Sequence, residues 1–203
     1  MKRQVVAIHG GTSFDTHEEY LEFLKTRELT LEKLRQGTVD WKASLPRELG
    51  DDWEVLLPKM PNGTNVRYLE WQIWFERVAS FVRDDVVLIG HSLGGIFLVK
   101  YLAEHKFPKR ITATILVAAP FDDGDIETGE SLTEFRLPAS LEGVAGQGGA
   151  IHLVYSSDDP VVPVAHVKKY EQALSDAQTT LFKDRGHFNQ PDFPELVSLI
   201  QSL

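Results

Sequence analysis

Six short apolar runs recur along the chain with helical spacing between them, and that alternation limits the architectures open to it. The runs are Val5 to Ile8, Trp53 to Leu57, Val86 to Ile89, Ile111 to Ala118, Ile151 to Tyr155 and Thr180 to Lys183. Several are continuously apolar rather than alternating, the pattern of strands covered on both faces. Between them, Val66, Leu69, Ile73, Val78 and Phe81 follow helical spacing, as do Val167, Tyr170 and Leu174. Leu196, Ile200 and Leu203 form a closing helix, with Pro194 tolerated in a first turn whose N–H groups are unpaired anyway. Strand and helix in alternation predict an α/β fold, a three-layer α/β/α sandwich around a mostly parallel sheet of about six strands. Ligands in such sheets bind beyond the carboxyl ends of the strands.

The 203 residues carry no internal repeat, low-complexity tract or flexible linker, so one domain over 1–203 is expected. One stretch exceeds a usual connection, a helical insertion or cap at about 12–52. Asp15 with Glu18 reads as a capping pair, and Tyr20, Leu21 and Leu24 then share a helical face. Leu31, Leu34, Trp41 and Leu45 predict more helix before Pro46. The insertion leaves from the end of the first strand, where the site is expected. It is either an ordinary covering helix or a lid and pocket wall.

There is no cysteine, which excludes disulfides, thiolate metal sites and cysteine nucleophiles together and suits a reducing compartment. A formal net charge of −9 argues against nucleic-acid binding, which needs clustered Lys and Arg. The opening Met1-Lys2-Arg3-Gln4 leads into an apolar run too short for a secretory signal. No stretch approaches the ~20 apolar residues of a membrane helix. A soluble, cytoplasmic protein with no membrane contact is expected.

The chemistry centres on Gly90-His91-Ser92-Leu93-Gly94-Gly95, which follows the Val86 run and opens the apolar stretch Ile96, Phe97, Val99, Tyr101, Leu102. A nucleophile elbow has this form: serine on a strained strand-to-helix turn, with flanking glycines that let the two elements approach. G-x-S-x-G arises by chance in roughly one chain of this length in fifteen, so its setting between strand and helix matters more than the motif. The bland alternative is a glycine-rich turn holding an inert serine.

Serine needs a base. Of seven histidines, His187 lies in Asp184-Arg185-Gly186-His187-Phe188, after the last strand and before the last helix. His9 belongs to the first strand's exit turn, and His91 sits inside the elbow, pointing away. His17, His105 and His166 fall on helical patterns and His152 in a strand. The order serine, acid, histidine suits an α/β-hydrolase and selects His187. The acid is expected after Ile151 to Tyr155, in Ser156-Ser157-Asp158-Asp159-Pro160-Val161-Val162-Pro163, where either aspartate could orient the imidazole. A turn built with Pro160 would use an aspartate too. Asp122, Asp123 and Asp125, after the preceding strand, form a second candidate group. For the oxyanion, the N–H of Leu93 is one donor and that of Gly11, in His9-Gly10-Gly11-Thr12, the other.

With those residues in place, the chain resembles the α/β-hydrolase superfamily over essentially its whole length. More narrowly it is similar to the small serine hydrolases of the retinoblastoma-binding protein nine type. The matching stretches are Lys59-Met60-Pro61, Val87-Leu88-Ile89-Gly90-His91-Ser92, Asp158-Asp159-Pro160 with Pro163, and Gly186-His187-Phe188. The resemblance implies a triad of Ser92, Asp159 and His187, and so decides for Asp159 over Asp158. It implies a serine hydrolase acting on a small-molecule ester or related acyl substrate through an acyl-enzyme, with no cofactor and no metal. Thioesterase or peptidase activity stands behind that, and a binding module on a hydrolase scaffold is the alternative from another class. Trp41, Trp53, Trp71 and Trp74 are either core or the lining of an acyl pocket.

Overall fold

Six strands build one sheet: β1 (Arg3–Ile8), β2 (Trp53–Leu56), β3 (Val86–His91), β4 (Ile111–Val117), β5 (Ala150–Ser156) and β6 (Gln178–Phe182). The computed structural model describes residues 2–31, 34, 40–124 and 131–203. The strand order is β2-β1-β3-β4-β5-β6, and every neighbouring pair is parallel. Each predicted run became a strand, with no end shifted by more than two residues. Among the described residues the helices are α1 (His17–Thr26), α2 (Trp41–Leu49), α3 (Tyr68–Ala79), α4 (Leu93–Glu104), α5 (Glu142–Gln147), α6 (Ala165–Ala173) and α7 (Pro194–Ser202).

The three layers follow from the strands. β3 is buried at every position, as a strand covered on both faces must be. Val6, Ile8 and Leu88 point to one side and pack with Trp71 and Phe75 of α3 and Phe97 of α4. Val5, Ala7, Val87 and Ile89 point to the other and meet Trp41, Leu45 and Leu49 of α2 and Leu196 and Ile200 of α7. Burying one such large side chain contributes about 1.5–3 kcal/mol, so both clusters hold the sheet firmly. α4 is buried from Leu93 through Val99 because it lies in the middle of its layer. No helix among the described residues is long and apolar enough to cross a membrane.

Four local expectations need correcting. The cap of α1 lies one residue on from Asp15 and Glu18: Glu19 N–H donates to Thr16 Oγ1 (3.2 Å) and Thr16 N–H to Glu19 Oε2 (2.9 Å). That shift leaves Leu21 and Leu24 exposed, while Tyr20 and Phe23 meet the Phe14 ring at 5.8 and 5.1 Å. On α3 the buried face is Tyr68, Trp71, Phe75 and Ala79; Leu69, Ile73 and Phe81 are exposed, because bulky aromatics won the core-facing side. α2 runs through Pro46 to Leu49, since Trp41, Leu45 and Leu49 form a buried stripe worth more than the one N–H that proline removes. Trp41, Trp53 and Trp71 are core, but Trp74 is 39% exposed. Leu31 and Leu34 are exposed, and positions 32, 33 and 35–39 between them and α2 lie outside the described residues.

Candidate active site

The sheet reverses its winding between β1 and β3, so the loops after these two strands open a crevice at their carboxyl ends. Ser92 makes the turn from β3 into α4 with φ 53° and ψ −125°, a backbone that side-chain-bearing residues rarely adopt. Three glycines make this turn possible by having no Cβ. One on Gly90 would lie 2.5 Å from Gly94 O, one on Gly94 2.5 Å from His9 O, and one on Gly95 2.5 Å from Ala119 Cβ. The Ser92 N–H donates to Val117 O at 2.8 Å, pinning the turn to β4.

His187 reaches this serine from the loop between β6 and α7. Ser92 Oγ donates to His187 Nε2 (3.0 Å), and His187 Nδ1–H donates to Asp159 Oδ2 (2.8 Å). The Asp159 carboxylate is 1% exposed and the imidazole 11%, so their contact is shielded from water. Asp159 Oδ1 also accepts the N–H groups of Val161 (2.8 Å) and Val162 (3.0 Å), which fixes the carboxylate's direction.

The neighbouring Asp158 does a different job. Its Oδ1 accepts the Ser156 hydroxyl and the Gly186 N–H, while Ser156 Oγ accepts the Arg185 N–H at 3.0 Å. Those bonds, first to Ser156 and then to Gly186, hold the Asp158 carboxyl below the usual carboxylate range. Asp158 thus ties down the loop that carries His187, whereas Asp159 touches the imidazole. Asp122 pairs with Lys169 (2.7 Å), and Asp123 binds Leu132 N–H and Arg136 (2.6 Å each), so neither meets His187. Asp125 lies outside the described residues.

A second layer escaped the sequence reading. His91 Nε2–H donates to the backbone carbonyl of His187 (2.9 Å), and its Nδ1 accepts from Lys42 Nζ at 3.3 Å. Lys42 pairs with Asp40 Oδ2 at 2.6 Å. Burial, reinforced by the Lys42 charge, pushes the His91 imidazole well below its ordinary range and keeps it neutral. Burial likewise lowers Lys42, against the pull of Asp40. Trp41 adds its indole N–H to Phe188 O (2.9 Å), so α2 grips the loop on both sides of its first turn. Nothing in the local spacing of Lys42 announces its contact with His91, which lies 49 residues away. His9 ties the turn after β1 to the loop after β2, with Nε2 accepting the Met60 N–H at 2.9 Å.

Leu93 stands at the first turn of α4, where N–H groups lack intrahelical partners. Gly11 sits so close to Gly63 O and Val66 Cγ2 that a Cβ would come within 2.8 Å of each. Gly11, Ser92 and Leu93 border a small recess of about 20 Å³ on one side of the serine. On the other side opens a cleft of about 860 Å³ whose walls include Phe23 and Arg27 of the α1 region, Lys42, His91 and His187. Among the described residues no group of three or more His, Asp or Glu side chains is arranged to hold a metal ion.

An all-parallel sheet with the serine turn at its switch point defines an α/β-hydrolase fold, and solved structures agree. The ydeN gene product from B. subtilis superposes with a TM-score of 0.77 at 21% identity, over 99% of this chain and 98% of that one. The thioesterase domain from the curacin biosynthetic pathway follows with a TM-score of 0.62 at 14% identity, over 100% and 92%. In sequence, the chain is 28% identical over 151 residues to the serine hydrolase RBBP9 of Rattus norvegicus, covering 74% of this chain and 78% of that protein. Residues 35–193 match the serine hydrolase family, and the chain belongs to it.

Proposed function

We propose that the chain is a carboxylesterase-like serine hydrolase that cleaves small acyl esters through an acyl-enzyme, with Ser92 as nucleophile, His187 as base and acid, and Asp159 as the orienting carboxylate. The observation that carries this is the hydrogen-bonded line from Ser92 Oγ to His187 (3.0 Å) and on to Asp159 (2.8 Å). Both distances lie within reach of proton transfer and imidazole orientation.

In the first half-reaction, Ser92 Oγ bonds to the carbonyl carbon while its proton passes to His187 Nε2. Asp159 stabilises the imidazolium and holds the tautomer that presents Nε2 to the serine. The carbonyl oxygen becomes an oxyanion between the Leu93 and Gly11 N–H groups, helped by the positive end of α4. The carbon–oxygen bond then breaks as His187 returns the proton to the departing alcohol. Water repeats the sequence on the acyl-enzyme, giving the acid and free Ser92. None of these steps calls on a cofactor. The α1 region and the first turn of α2 act as a wall of the cleft, which gives the 12–52 segment a place in substrate binding. A cytoplasmic location suits the cysteine-free composition.

A fluorophosphonate probe tests the reading, since it reacts only with an activated serine beside an oxyanion site. Wild type should label at neutral pH, and Ser92→Ala and His187→Ala should not. A folded wild type that stays unlabelled by probes of several sizes would favour a binding module instead.

A further inference from the structure

We infer that the site divides its substrate at Ser92, with an acyl group of two or three carbons in the small recess and a larger leaving group in the wide cleft. This rests on the ester-cleavage reading above and adds the substrate class to it. The two spaces flanking the serine differ by more than an order of magnitude, about 20 Å³ against about 860 Å³. A water-sized group needs roughly 10–15 Å³ measured in this way, so the recess takes a methyl or little more.

Chemistry decides which half of the ester goes where. The leaving oxygen must collect its proton from His187 Nε2, so the leaving group lies on the side of the imidazole. His187 borders the cleft and does not border the recess, while Ser92 and Gly11 border both. The acyl carbon chain is therefore directed into the recess, beneath Leu93, Leu132 and Val162, each at least 95% buried.

These walls are not free to yield. The N–H groups of Val161 and Val162 bind Asp159 Oδ1, the carboxylate that also faces His187, so displacing this wall disturbs the acid. The opposite segment is held by Leu132 N–H to Asp123 (2.6 Å) and by Ser13, which bonds the Ser131 carbonyl at 2.6 Å and accepts its N–H at 3.2 Å. A longer acyl chain must break one of these sets. The cleft, in contrast, is bounded in part by the exposed side chains of Arg27 and Lys59, which can move aside.

The test is a series of p-nitrophenyl esters from acetate to octanoate, run beside 1-naphthyl acetate and fluorophosphonate labelling of Ser92. Each carbon beyond propionate should lower kcat/KM by about tenfold or more, whereas the change to the naphthyl leaving group should alter it by less than about threefold. Val162→Ala and, from a separate segment, Leu132→Ala should each raise the butyrate-to-acetate ratio by about tenfold. Hexanoate cleaved as well as acetate, with Ser92 labelled, would overturn the division while leaving the hydrolase reading intact. An unchanged chain-length profile in both variants would do the same. No labelling and no ester cleavage by folded protein would instead remove the reading beneath it.

Discussion

Ser92 and His187 are held in place by different physics. Around the serine the backbone approaches so closely that Gly90, Gly94 and Gly95 would each drive a Cβ to within 2.5 Å of a neighbour. Around the histidine there is no such crowding, and a Cβ on Gly186 would meet nothing within 4 Å. Instead the loop is tied by side-chain bonds from Asp158 to Gly186 N–H, from Ser156 to Arg185 N–H, from His91 to the His187 carbonyl and from Trp41 to the Phe188 carbonyl. Packing is all-or-none, because backbone cannot give way, whereas a set of hydrogen bonds can be lost one at a time. The Ser92 turn should therefore fail together with the fold, and the His187 loop should fail by degrees within an intact fold.

The sharpest break in that contrast would come from the elbow. Gly94→Ala places a Cβ against His9 O at 2.5 Å and Ile8 O at 2.6 Å, so the variant should lose about 3 kcal/mol in denaturant unfolding, or not fold. Wild-type stability in that variant would end the steric account of the turn. Next in size, Asp159→Asn should keep the fold, since an amide oxygen still accepts from Val161 and Val162, yet lower kcat by about 10⁴-fold by reversing the imidazole tautomer. A drop of less than about tenfold would show that Asp159 does not orient His187.

Asp158→Ala removes the tie to Gly186 without touching the imidazole. We expect kcat/KM to fall by about ten- to a hundredfold through misplacement of the ring, with thermal unfolding little changed. Full activity would mean that the remaining ties suffice. The smallest effect concerns pH. Because the folded protein keeps His91 neutral well below the ordinary histidine range, the unfolded chain binds the extra proton first as pH falls. Stability should then decline from pH 7 toward pH 5 by up to about 1.4 kcal/mol per unit for one such proton. Burial also lowers His152, so His91→Gln should flatten this slope without abolishing it, as unfolding measured at several pH values would reveal.

The same contrast explains what could be read from the sequence. The elbow was legible because its constraint is local: three glycines around one serine, between a buried strand and a buried helix. His187 and the Asp158–Asp159 pair were legible by chain order, and the family resemblance, not the spacing, singled out Asp159; in the structure Asp159 contacts the imidazole while Asp158 bonds Ser156 and Gly186, since adjacent residues in a turn face different ways. The Lys42–His91 support was invisible because it joins residues from distant elements and leaves no periodicity behind. On α3 the periodicity itself misled, because Leu69 and Ile73 on the outer face are as apolar as Trp71 and Phe75 on the inner one. In α1, both Asp15 with Glu18 and Thr16 with Glu19 satisfy the capping spacing, and the contacts of Phe14 with Tyr20 and Phe23 accompany the second.

The backbone of Ser92, at φ 53° and ψ −125°, carries one more implication. A residue with a side chain held in such a conformation loses about 1–3 kcal/mol relative to a relaxed one, and glycine would be spared most of that. Ser92→Gly should thus yield a protein that unfolds at a higher temperature and hydrolyses nothing. Mutation without demand for the reaction would run downhill toward that inert form. The hydroxyl that the proposed reaction needs is therefore carried at a cost to the fold itself.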